Sequence, residues 1–107
     1  MADDNDFLQD LVLLNNDPGL EQRLLEKARM NNVDAQYALG LVYAEGRGTD
    51  INVVDAYAWL SQAMRNGDKD AEQLRYVVVD MMTDEQFNLA KKRATEIEYL
   101  LHNGNVH

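Results

Sequence analysis

The chain has 107 residues, enough for one small domain with one core. Its net charge of −9, from 19 acidic against 10 basic residues, disfavours nucleic acid and anionic membrane surfaces as partners. It has no cysteine, which removes disulfides and thiol chemistry.

The opening "MADDNDF" is acidic where a secretory leader would be basic, and no apolar run nears the ~20 residues that cross a bilayer, so a cytoplasmic location is expected. Apolar residues recur every three to four positions almost throughout, which predicts an all-helical chain. The first helix is expected from Asp6 to Asn15, with Phe7, Leu8, Leu11 and Leu14 as its apolar stripe. "NNDPG" ends it. Asp17 is the predicted N-cap of the second helix, and Pro18 suits its first turn, where no amide hydrogen is needed. Leu20, Leu24, Leu25 and Ala28 share one face of that helix, which ends at Asn31-Asn32.

The third helix is expected from Asp34, its cap, to Glu45. Ala35, Ala38, Leu39 and Val42 make one stripe and Tyr37, Leu41 and Ala44 a second, the mark of a helix with neighbours on both flanks. Gly40 sits inside it, at a cost of about 1 kcal/mol relative to alanine. "GRGTDIN" is the next turn. Asn52 caps the fourth helix, with Asp55 three residues on in a near capping box. Val53, Ala56, Tyr57, Leu60, Ala63 and Met64 then give the cleanest helical repeat in the chain. Gly67 is placed to end the helix in the left-handed conformation. The fifth helix runs from Asp70 to Met82, with Leu74, Val77, Val78 and Met81 inward. "VVV" at 77–79 has no second strand-like run to pair with, so strand is rejected. Thr83 and Gln86 form a capping box for the sixth helix, whose face is Phe87, Ala90, Ala94, Ile97 and Leu101. Asn103-Gly104 ends it before a loose "NVH" tail.

Six helices on short turns make three antiparallel hairpins. "LLEKARMNNVDAQ" and "WLSQAMRNGDKDAEQ" match each other about 35 residues apart, Leu25 with Leu60, Ala28 with Ala63 and, after a one-residue shift in the turn, Ala35 with Ala71. That is the period of stacked helix-pair repeats.

Residues 34–67 resemble a Sel-one-like repeat, a relative of the tetratricopeptide repeat. The family's first helix reads A-x-x-x-L-G-x-x-Y-x-x-G-x-G, and Ala35, Leu39, Gly40, Tyr43, Gly46 and Gly48 stand at those positions. Its second helix reads D-x-x-K-A-x-x-W-x-x-K-A-A, and this chain has Ala56, Trp59 and Ala63 in place. Asn52, Asp55, Gln62 and Met64 depart from that pattern, and Thr49 stands where valine is usual. The resemblance implies a short right-handed α-α hairpin solenoid of about three helix pairs. In it 34–67 is the well-matched unit, and 6–32 and 70–101 are degenerate capping helices of one domain, 1–107. Terminal units lose the pattern because they must present a polar outer surface.

The glycines admit two uses, cradling a phosphate or letting helices pack closely. A phosphate loop leads into its helix with Lys-Ser/Thr, and "GRGTDIN" has neither. Close packing is therefore expected, with Gly40 against the helix that carries Trp59. No constellation supports catalysis. His102 and His107 lie at or near the tail without partners, and Ser61 lies within a helix that no strand precedes. Asp68, Asp70 and Glu72 alternate as calcium ligands do, but "DKDAE" lacks the loop's glycine, and the same holds for "DDND" at residues 3–6. Both read as a helix start and a solvated tail. Lys91-Lys92-Arg93 reads as a wet helix side balanced by Glu96 and Glu98. No metal and no cofactor is expected.

Binding remains. First helices of such pairs line the inner side of the stack, so Gln36, Glu45, Arg47, Glu72, Arg75 and Tyr76 are the candidate contacts for another protein or peptide. The expected role is a non-catalytic adaptor or scaffold. The alternative is an acidic inhibitor or immunity-type protein that blocks a basic toxin or nucleic-acid enzyme. A homodimer through the Phe7–Leu14 or Phe87–Leu101 helix is a further expectation.

Overall fold

A helix begins where a side chain takes up the first free amide hydrogens, and those capping residues fix the frame of this fold. The computed structural model describes residues 19–104. The expected helix Asp6–Asn15, the Asp17-Pro18 helix start, "DDND" and the tail with His107 lie outside the described residues. Five α-helices follow one another: α1 (Leu20–Arg29), α2 (Val33–Glu45), α3 (Val53–Arg65), α4 (Lys69–Asp80) and α5 (Asp84–Tyr99). A π-helical turn, Leu100–Gly104, continues α5. No strand occurs among the described residues, and Val77–Val79 is helical as expected.

Asn32, two residues before the predicted cap Asp34, starts α2, its Oδ1 accepting the Ala35 amide at 2.9 Å. Asn52 caps α3 as expected, at 3.0 Å from the Asp55 amide. Asp68 caps α4, accepting from the amides of Asp70 and Ala71 at 2.9 and 3.1 Å. That assigns "DKDAE" to a helix start. At α5 both arms of the capping box form, at 3.0 and 3.1 Å between Thr83 and Gln86.

The turns after α1 and α3 are copies of each other. The amide of Asn32 reaches back to the Lys27 carbonyl at 3.1 Å, and that of Asp68 to the Ala63 carbonyl at 3.0 Å. Between them Asn31 (φ 67°) and Gly67 (φ 101°) hold the left-handed position. Glycine takes it without strain and asparagine is the side chain that tolerates it best. The two turns therefore repeat each other, with Lys27 standing opposite Ala63.

Helix α3 is the hub. It packs against α2, α4 and α5, and every residue from Ala56 to Ala63 is buried. The single predicted stripe covered only part of this, because three neighbours surround the helix. Close approach explains Gly40. A Cβ placed there would fall inside the side chain of Leu60, which is itself fully buried. The helix carrying Trp59 thus lies directly on the glycine, and the small residues Ala35, Ala56 and Ala63 continue the contact.

The last two helices differ from the expected closing hairpin. Helix α5 lies along α3, not back along α4. Ala90 and Ala94 let it come close, Ile97 fills the seam, and Phe87 meets Tyr57 edge-on with centroids 5.8 Å apart. Helix α4 buries only Ala71 and Val78. Val77 and Met81, expected inward, are 57% and 49% exposed, because α5 does not return to cover them. The architecture is all-α, an α-α repeat stack whose final helix folds over the hub.

Candidate functional site

Helices α1, α3 and α5 leave a groove of about 370 Å³ between them. Leu25 and Arg29 of α1 form one wall, Trp59 and Asp55 of α3 the floor, and Arg93 and Ile97 of α5 the other wall. Tyr43 reaches it from α2, and Leu100 and Leu101 close one end. The spacing of Asp55 and Trp59, four residues apart on α3, aims both at the same side. The groove combines an apolar lining with three charged groups, Arg29, Asp55 and Arg93.

Two polar contacts hold its walls. The Tyr43 hydroxyl donates to Glu21 Oε2 at 2.6 Å, tying α2 to α1. Arg93 donates to Asp55 Oδ1 at 3.0 Å and to Glu96 Oε1 at 3.3 Å, tying α5 to α3. Burial opposes the Arg93 charge, but Asp55 and Glu96 outweigh it and raise its pKa, so the guanidinium stays ionised. Of the predicted basic trio, Arg93 is therefore a bridge between helices. Lys91 lies over the Phe87 ring, 4.7 Å from its centroid, and Glu98 pairs instead with Arg65 at 3.0 Å.

Burial, then the bond to Glu21, raises the Tyr43 pKa well above the ordinary tyrosine value. The fold keeps the proton where the unfolded chain releases it. This contribution is present in full below about pH 10 and is lost as pH rises further. Tyr43→Phe is expected to cost about 1–2 kcal/mol at pH 7 and to flatten the alkaline fall in stability, measured by urea unfolding at neutral pH and above pH 10. An unchanged alkaline slope would contradict the assignment. Tyr37 acts in the same direction. Burial, then Asp70, Asp68 and Glu45, raises its pKa too, which marks the α2–α4 face as acidic.

The candidate contacts read from sequence do not form one surface. Gln36 is a correction. It is fully buried, its Nε2 donating to the Ala28 carbonyl at 3.1 Å and to Asn31 at 3.2 Å. Asn66 donates to its Oε1 at 3.0 Å. Gln36 is thus a strut joining two successive turns, out of a partner's reach. Glu45 and Arg47 pair with each other at the end of α2. Arg75 is spent inside the stack, donating to Ser61 Oγ at 2.9 Å with its guanidinium 5.1 Å from the Tyr57 centroid. Glu72 is exposed on α4, and Tyr76 is 67% exposed.

The repeat-motif residues fare differently. Ala35, Leu39, Gly40, Tyr43, Ala56, Trp59 and Ala63 are all buried in the α2–α3 joint. Gly46 and Gly48 have φ of 71° and 73° and turn the chain between the two helices. His102 lies against the Glu98 carbonyl at 3.1 Å, one helical turn back. Among the described residues no three metal-ligating side chains converge, and no helix is long and apolar enough to cross a membrane. The groove has no signature in the sequence, because its walls are brought together from α1 and α5.

Comparison with known proteins gives one relative of note. The chain is 34% identical over 79 residues to the alginate biosynthesis protein AlgK of Azotobacter vinelandii. The match covers 74% of this chain and 16% of that protein, so the chain corresponds to a small part of it. No family model matches. No solved structure is significantly similar.

Proposed function

We propose that the chain is a non-catalytic, cytoplasmic protein-binding module of the Sel-one-like kind, which takes a segment of another protein in the groove between α1, α3 and α5. The motif residues at 35–63, the helix-pair stack and the likeness to AlgK support a docking role. The observation that carries the site is the apolar lining that Leu25, Trp59, Ile97 and Leu101 bring to one groove from three helices. Aromatic and aliphatic side chains in a sheltered depression are usual anchors of protein recognition. A role in alginate biosynthesis is not carried over, because the match covers only 16% of that protein.

A displayed library of random peptides, captured on the immobilised full chain, tests this. Leu101→Asp is expected to lower capture at least about tenfold, the loss of about 1.4 kcal/mol, while Tyr76→Ala leaves it unchanged. Loss on Tyr76→Ala with full retention by Leu101→Asp would move the site to α4.

The second reading, an acidic inhibitor of a basic partner, draws on the carboxylates around Tyr37. It calls for selection of basic peptides whose association slows steeply from low to physiological salt. Peptides seated on the apolar floor would not show that dependence.

A further inference from the structure

Two asparagines in the sequence stand directly before glycine, Asn66 before Gly67 and Asn103 before Gly104. The first pair lies at the turn after α3 and takes part in the strut that joins this turn to the one after α1. We propose that Asn66 is a site of spontaneous deamidation that the fold holds shut, and that its conversion to aspartate or isoaspartate unlocks the joint between the two turns.

The chemistry needs no reactant beyond water. The backbone nitrogen of Gly67, once it has given its proton to hydroxide, attacks Asn66 Cγ. The new C–N bond closes a succinimide ring, the Cγ–Nδ2 bond breaks, and the departing nitrogen takes up a proton and leaves as ammonia. Water then adds to one of the ring carbonyls and opens the ring, leaving aspartate or isoaspartate. A glycine after the asparagine favours closure, because no side chain crowds the attacking nitrogen or restricts the turn. Gly67 is exposed, and a Cβ built on it would meet nothing within 4 Å, so solvent reaches the reacting atoms.

The fold guards both partners in the first step. Asn66 Nδ2 donates to Asn31 Oδ1 and to Gln36 Oε1, both at 3.0 Å. Those bonds fix the side-chain amide on the turn after α1, so it cannot swing freely onto the Gly67 nitrogen. The Gly67 amide hydrogen is itself taken by the Met64 carbonyl at 3.0 Å, which opposes its loss. Reaction therefore waits for a local opening in which the strut lets go.

The product cannot rebuild the strut. An ionised aspartate has only acceptors, and it would face two more, Asn31 Oδ1 and Gln36 Oε1. Gln36 cannot turn its amide over without loss, because its Nε2 is bound to the Ala28 carbonyl at 3.1 Å in a fully buried position. Acceptors left unpaired in such a place cost more than the lost bonds themselves. Each opening that ends in deamidation is thus recorded permanently at the joint.

Incubation of the full chain in warm, mildly alkaline buffer, with and without unfolding urea, tests this. Peptide mapping by mass spectrometry follows Asn66, and labelling by an isoaspartyl methyltransferase identifies the isoaspartate. In urea Asn66 and Asn103 are expected to react at like rates. In native buffer Asn66 is expected to react at least about tenfold more slowly than in urea, since its open state is the minor one. Asn31→Gly suits the left-handed turn and removes one acceptor. It is expected to raise the native rate about fivefold and to leave the rate in urea unchanged. Gln36→Met, similar in length without the amide, is expected to do the same by a second route. Tyr43→Phe, which weakens the fold with the strut intact, is expected to leave the native rate where it was. An Asn66 that is inert in urea, or that reacts as fast in the fold as in urea, would overturn the proposal. So would equal acceleration by Tyr43→Phe and Asn31→Gly, which would assign the reaction to global unfolding. Asn66→Asp measures the product directly, with an expected melting temperature at least about 4 °C below the parent. A variant that melts with the parent would show that deamidation unlocks nothing.

Discussion

Gly40→Leu is expected to destabilise the chain by more than about 3 kcal/mol, lowering its melting temperature by over about 12 °C. The first added carbon alone would fall inside the side chain of Leu60. Leu60 cannot give way, since it is wholly buried in the most enclosed helix of the fold. Helices α2 and α3 must therefore move apart, and Leu39, Ala56 and Ala63 lose their packing with them. Helix propensity pushes the other way by about 1 kcal/mol, because any ordinary residue fits a helix interior better than glycine. The two effects differ in sign, so a thermal melt followed by circular dichroism decides between them. A variant that melts at or above the wild-type temperature would mean that Gly40 has no packing role.

Trp59→Ala is the second large effect, about 3–5 kcal/mol. The indole is 5% exposed and lies at the floor of the groove, next to the Tyr43–Glu21 and Arg93–Asp55 ties. Its removal leaves a void that the helices on either side cannot close while those ties hold. Trp59→Phe, which keeps an aromatic ring, is expected to cost about half as much. Urea unfolding followed by far-ultraviolet circular dichroism measures both. A cost below about 1 kcal/mol for the alanine variant would show that the floor is soft and contributes little to the core. The same alanine variant is expected to lose peptide capture at temperatures where it remains folded.

The helices were legible because each has its own local signature. Thr83 with Gln86, Asn52 with Asp55, and the glycine at 67 marked ends that the structure keeps. Asn32 was missed as a cap because Asp34, two positions on, is equally suited by type. The use of Gly40 was legible through its small neighbours and Trp59. What sequence could not show is which faces meet. Gln36 looked like a surface polar residue, yet its partners Asn31 and Asn66 come from two turns 35 residues apart. Arg93 looked solvated, yet its partner Asp55 is 38 residues away. Val77 and Met81 fit an inward stripe, yet the helix expected to cover them lies on α3 instead. Long-range pairing decides each case, and a single sequence carries no record of it. The groove is the largest casualty, since its walls come from α1 and α5, the first and last α-helices in the described sequence.

The close contact between α2 and α3 holds the groove's floor in place, and a double-mutant cycle on its two central residues tests it most directly. Gly40→Ala, Leu60→Ala and the double variant are compared with the parent chain by urea unfolding. The alanine at 40 is expected to destabilise the parent and to cost nothing, or to stabilise, once Leu60 is trimmed, giving a coupling of at least about 1 kcal/mol. Single effects that add within about 0.5 kcal/mol would mean that the two residues do not press on each other, and the tightly packed pair proposed to carry the docking groove would not exist.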